Sequence, residues 1–99
     1  MTLAERIEHA RSEARNGLPP TPKVKDIQFE SYTDSTGELA LRVIVILAED
    51  TSEKDRDFRR IAPIEEAIRK ALQSEAIDLW PYFRFRKPSE QRTDAAVTS

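Results

Sequence analysis

Ninety-nine residues, 38% of them hydrophobic and 34% charged, suit one domain with a single core under a densely charged surface, and exclude both a two-domain chain and one disordered throughout. Sixteen basic against 18 acidic residues leave a net charge of −2, whereas proteins that neutralise phosphates normally carry a basic excess, so nucleic acid is disfavoured as a general partner. The absence of cysteine removes any disulfide framework, thiolate zinc site or cysteine nucleophile.

The opening stretch, MTLAERIEHARSEAR, is charged from its fifth residue and has no apolar h-region. The longest apolar run, Val43 to Ala48, is too short to span a bilayer, so a cytoplasmic protein with no membrane association is expected. Residues 1–17 are predicted to form an N-terminal helix. Thr2 is its cap, Glu5 follows three residues later as in a capping box, and Gly17 is its stop. Leu3, Ile7, Ala10 and Ala14 recur at helical spacing, but only two of them are large; the helix reads as a peripheral arm or a face for another subunit. Residues 18–23, LPPTPK, form a proline-rich linker that forbids helix, and the α+β core domain spans residues 24–87.

VKDIQFESYT predicts a first strand, with Ile27 and Phe29 on one face and Gln28 and Glu30 on the other, closed by the turn residues DSTG with Gly37 free to take positive φ. ELALRVIVIL is the clearest strand. Leu39, Leu41, Val43, Val45 and Leu47 share one face, while Ile44 and Ile46 make the opposite face apolar as well, which predicts cover on both sides. Residues 52–76 form the main helical region, capped by Ser52, with Glu53 and Asp55 in the first turn. Ile61, Ile64, Ile68, Ala71 and Leu72 make its apolar stripe, and Glu65–Arg69 and Glu66–Lys70 are i,i+4 pairs on the wet side. Pro63 costs roughly 3 kcal/mol in mid-helix and nothing in the first turn of a new helix. The expectation is therefore a short helix over 53–60, a break, and a main helix from about 63 to 76, although the sequence leaves one kinked helix open. LWPYFRFR, residues 79–86, predicts a third strand, and residues 88–99 are predicted to be a disordered tail.

The expected fold class is α+β, a small three-stranded mixed sheet in the order helix-strand-strand-helix-strand, with the main helix on one face and an N-terminal helical arm. The hairpin makes the first two strands antiparallel, and the helical crossover lays the third parallel to the second. With the helical region split in two, this order resembles that of the type II KH domain, shared by a bacterial ribosome-binding factor. KH domains clamp an RNA backbone with a Gly-x-x-Gly loop between the middle helices. That junction here reads RRIAPIEE, with no glycine from Glu38 to Ser99, so the resemblance is one of element order, which does not carry function.

Alternation places Phe83 and Phe85 on one face of the third strand, where completing the core is their simplest role, and Tyr82, Arg84 and Arg86 on the other. The acids Glu49, Asp50, Glu53, Asp55 and Asp57 are interspersed with Lys54, Arg56, Arg59 and Arg60, which reads as a solvated helix entry rather than a metal site. His9, the only histidine, has Glu5 and Glu13 one turn away on either side but no nucleophile. With Gly17 and Gly37 the only glycines, a phosphate-cradling loop is close to excluded. No catalytic, cofactor-binding or metal-ligating residue is predicted, and no cofactor. The expected function is a small non-enzymatic interaction module that self-associates into a homo-oligomer or docks on a protein partner through Ile44, Ile46, Leu3 and Ile7. The alternative is an RNA-binding or ribosome-associated module using Tyr82, Arg84, Arg86 and Lys87.

Overall fold

Thr2 starts the first helix as its sequence predicts. In the computed structural model, which describes residues 1–91, Thr2 Oγ1 accepts the Glu5 N–H at 3.1 Å and the Glu5 carboxylate accepts the Thr2 N–H at 3.3 Å. This capping box opens α1, Leu3–Asn16, followed by β1, Val24–Thr33, β2, Leu39–Leu47, a 3₁₀ turn, Glu53–Arg56, α2, Phe58–Ser74, and β3, Trp80–Arg86. The hairpin turn is tied by Asp34, whose Oδ1 accepts the Thr36 hydroxyl at 2.6 Å, the Thr36 N–H at 2.9 Å and the Glu38 N–H at 3.1 Å. Gly37 sits at φ 85°, which a residue with a Cβ adopts only under strain.

The three strands form one mixed sheet in the order β1-β2-β3, antiparallel between β1 and β2 and parallel between β2 and β3, as expected. Register decides which side chains meet. Ile27 and Phe29 stand opposite Val45 and Val43, which in turn stand opposite Phe85 and Phe83, so all six share one face. Ile64, Ile68, Ala71 and Leu72 of α2 and Ala10 and Ala14 of α1 close over Ile27, Leu41, Val43, Val45 and Leu47 in a single buried cluster. Phe29, Phe83, Phe85, Leu3 and Ile7 pack at its margin. Both helices therefore lie on the same side of the sheet, α1 beside α2. Two arginines fasten α1 to β1: Arg11 Nη2 reaches Asp26 Oδ1 at 2.8 Å and Arg15 Nη2 donates to the Lys25 carbonyl at 3.2 Å. The residues between α1 and β1 pack too, with Leu18 against the core and Pro22 fully buried.

The helical region divides elsewhere than at Pro63. The break falls at Asp57, extended at φ −61° and ψ 148°, between the 3₁₀ turn and α2, and α2 then runs through Pro63 uninterrupted. Pro63 lies in the second turn, so the carbonyl left without its i+4 donor is that of Arg59. Both residues are exposed, so the carbonyl is open to solvent rather than buried unpaired. At the other end α2 stops at Ser74 without a glycine. Ala76 takes the left-handed conformation at φ 54° and Ile77 N–H turns back to the Leu72 carbonyl at 2.9 Å, a Schellman-type stop that buries Ile77. Arg6 of α1 donates to the Ala76 carbonyl at 3.2 Å, a cation at the negative end of the helix.

The outer edge of β3 is blunted. Pro81 has no N–H to offer, and the Phe85 carbonyl is taken by Arg56 Nη2 at 3.0 Å and Arg86 Nη1 at 3.1 Å, which discourages pairing with another strand. After β3, residues 88–91, the first four of the stretch expected to be a disordered tail, form a turn of helix. The rest of that stretch, 92–99, lies outside the described residues.

Candidate functional site

Because α1 and α2 lie on one side, neither covers the other side of the sheet. Four rows of side chains make up this open face: Asp26, Ile46 and Arg86; Gln28, Ile44 and Arg84; Glu30, Arg42 and Tyr82; and Tyr32, Ala40 and Trp80 at the hairpin end. A basic and aromatic column on β3 and a mixed polar column on β1, whose Asp26 is engaged by Arg11 and Arg15 of α1, flank a centre that is aliphatic except for Arg42. That arginine is the one charged residue in β2, LALRVIVIL, and the place where the strand's apolar pattern fails.

Arg42 organises the hairpin end. Its guanidinium lies 4.5 Å from the centroid of the Tyr32 ring and its Nη1 donates to Glu30 Oε1 at 2.9 Å. The Tyr32 and Tyr82 rings approach to 6.2 Å, tilted by 56°, across the strand that carries Arg42. Beside this group Tyr82 remains 44% exposed and Trp80 68%, two of the five large hydrophobic residues that the described part of the protein leaves to solvent. One further cation stands in the next row: Arg84 is exposed and, among the described residues, has no hydrogen-bond or ion-pair partner. An apolar surface bearing tyrosine, tryptophan and arginine has the composition of a protein-binding hot spot.

The expected interaction residues do not form one patch. Ile44 and Ile46 are neighbours on the open face, Ile44 half-buried and Ile46 buried, whereas Leu3 and Ile7 pack against the core from α1 on the opposite side. Tyr82, Arg84 and Arg86 fall in one column as their alternation requires, and Lys87 lies just past the strand, its N–H donating to Glu90 Oε1 at 2.8 Å. Tyr32, Arg42 and Trp80 are not singled out as a group by the sequence. Their nearness follows from strand register, although Arg42 interrupting an apolar strand was a visible signal.

Two other clusters resolve differently. In the acidic entry, Ser52 Oγ accepts the Asp55 N–H at 3.3 Å and Glu53 approaches Arg56 at 3.8 Å; among the described residues no group of three histidine or acidic side chains is placed to hold a metal ion. His9 finds its partner across the helix pair, its Nδ1 lying 3.7 Å from Glu75 Oε1 at the end of α2. The Glu75 carboxyl also hydrogen-bonds that of Glu13, which pushes Glu75 up from the usual carboxylate range and, together with a hydrogen bond from Ser74, holds Glu13 down. Of the two neighbours expected for His9, Glu5 is occupied by the capping box, while Glu13 joins the His9–Glu75 group.

Among the described residues no helix is long and apolar enough to cross a membrane. No family model, curated protein or solved structure matches this chain.

Proposed function

We propose that this protein is a non-enzymatic docking module, and that the hairpin end of its open sheet face holds an extended acidic segment of a partner protein whose alternate side chains are apolar. The observation that carries this reading is the juxtaposition of Tyr82 and Trp80, both exposed, with Arg84, an exposed cation that no described residue pairs. Aromatic side chains offer large contact areas at small entropic cost, and Arg84 selects a carboxylate. Arg42 is already engaged by Glu30 and Tyr32, so it serves as the rigid floor of the site.

Self-association through the whole face is the weaker form of the expectation, because Ile46 is already 7% exposed in the single chain and needs no second copy to cover it. RNA binding draws on the same tyrosines, but the face carries Glu30 against Arg42 and the whole chain is net acidic.

Fluorescence anisotropy tests this with a pool of labelled eight-residue peptides in which Asp or Glu alternates with Leu, Ile, Val or Phe, alongside a labelled single-stranded uridine oligomer. Peptide binding is expected, weakened about tenfold by Tyr82→Ala and by Arg84→Ala. No peptide binding, or binding indifferent to both substitutions, overturns the proposal. Oligonucleotide binding that falls steeply with salt puts the RNA reading in its place.

A further inference from the structure

The end of the open face away from the hairpin is occupied by the chain itself. After Arg86, which stands opposite Ile46, residues 88–91 turn as a helix, and Gln91 Nε2 then reaches Gln28 Oε1 at 3.4 Å. Gln28 belongs to β1 and Arg86 to β3, and β2 runs between them. Ile27 and Phe29 face the helices, so the Gln28 side chain stands on the open face. To make that contact the segment crosses above β2 near Ile46, in keeping with the low exposure of Ile46 on a face that α1 and α2 leave uncovered.

What fastens the crossing is concentrated at its start. Glu90 Oε2 accepts from Arg56 Nη1 at 2.8 Å, Glu90 Oε1 accepts the Lys87 N–H at 2.8 Å, and Arg56 Nη2 donates to the Phe85 carbonyl at 3.0 Å. These charge-assisted bonds gather at the edge of β3 against the 3₁₀ turn, off the open face. The residues that cross, Pro88, Ser89, Glu90 and Gln91, are polar apart from the proline, so apolar burial adds little to their hold. Farther along, the Ser89 N–H donates to Glu49 Oε2 at a longer 3.4 Å, and a segment held by polar bonds rather than by apolar burial opens without unfolding the core beneath it.

We propose that Pro88–Gln91 is a displaceable strap over the Ile46 end of the open face, latched by Arg56 and Glu90, and that it competes with the partner segment for the row containing Ile44 and Arg84. The competition rests on the docking reading above; the strap itself does not. An eight-residue extended segment spans about 26 Å, whereas the four rows along the strand direction extend about 20 Å, so a partner seated on Tyr82 and Arg84 runs on into the strap.

Methyl-labelled isoleucine spectra of the full chain separate the two statements. Arg56→Ala and Glu90→Ala are each expected to shift the Ile46 methyl resonances, and the double variant to shift them no further, because both remove the same latch. The Ile27 and Ile68 methyls, on the helix-covered face, report whether each variant is folded and are expected to stay in place. Glu90→Ala is also expected to bind the acidic peptide pool about threefold or more tightly, since the competing strap is released. Ile46 methyls that stay put while Ile27 and Ile68 report a folded chain overturn the strap. Ile46 methyls that move with no gain in peptide affinity overturn the competition. If no variant binds any peptide while Ile46 moves as expected, the docking reading fails and the strap stands.

Discussion

The two faces of the sheet are supplied by the same three strands and differ in almost everything else. On the helix side, Leu41, Val43, Val45 and Leu47 are wholly buried beneath α2 and α1. One residue along in each case, Ala40 stands between Tyr32 and Trp80, Arg42 between Glu30 and Tyr82, Ile44 between Gln28 and Arg84, and Ile46 between Asp26 and Arg86. The period-2 alternation of β2 thus lets one strand carry the stability of the domain on one side while the other side stays available for binding. Cover on the first face comes from burial, which is non-directional and hard to reverse; cover on the second comes from a few charged hydrogen bonds.

The largest test of that contrast compares two isoleucines. Ile68→Ala, in the helix-covered core, is expected to lower unfolding free energy by about 2–5 kcal/mol in urea denaturation, and Ile44→Ala, half-buried on the open face, by about 1 kcal/mol. Equal losses would break the distinction between a structural and an available face.

The helical cover itself is imperfect at both ends of α2, which sharpens the comparison. Pro63→Ala restores the N–H that Arg59 lacks and is expected to raise stability by about 1–2 kcal/mol, less than the full interior penalty because the site is exposed in the second turn. Ala76→Gly relieves the left-handed conformation at φ 54° and is expected to add about 1 kcal/mol. A loss of stability in either variant would mean that the observed helix ends are not those populated in solution.

Acid should open the two faces in order. Arg56, and then the Lys87 N–H, hold the Glu90 carboxyl below its usual range, with Glu53 also facing Arg56. A carboxyl depressed in the folded state contributes stability that is complete above its ordinary pKa and disappears as pH falls through the folded value. The Ile46 methyls are therefore expected to move in the acid range below the ordinary glutamate pKa, before the Ile27 and Ile68 methyls do; simultaneous movement would mean the strap and core are one cooperative unit.

The smallest expected effect belongs to Glu75, whose carboxyl is raised because ionising it sets two carboxylates against each other, with His9 and Arg6 offsetting part of the repulsion. A raised carboxyl favours the folded state below its folded pKa and disfavours it above. Glu75→Gln is expected to raise the urea midpoint slightly at pH 7, and the difference to disappear as pH falls through the range where Glu75 takes up its proton. A lower midpoint at pH 7 would show that the His9 contact outweighs the repulsion.

Much of this architecture was legible because it is local. The Thr2–Glu5 cap, the Asp34–Gly37 turn and the two-sided division of β2 each depend on residues within about four positions of one another, where spacing alone decides which groups meet. The strand directions followed from chain order and the crossover, whereas the position of β3 in the sheet, beside β2, was left open by the sequence. What the sequence could not decide was long-range: that α1 joins α2 on one face, that His9 meets Glu75 rather than Glu5, that Arg42, Tyr32 and Tyr82 converge, and that Glu90 returns to Arg56 34 positions back. Alternation determined by itself that Ile44 and Ile46 share a face. Only the tertiary structure decided that a polar turn covers one while the other borders an open aromatic surface, because cover depends on where distant segments find their charged partners.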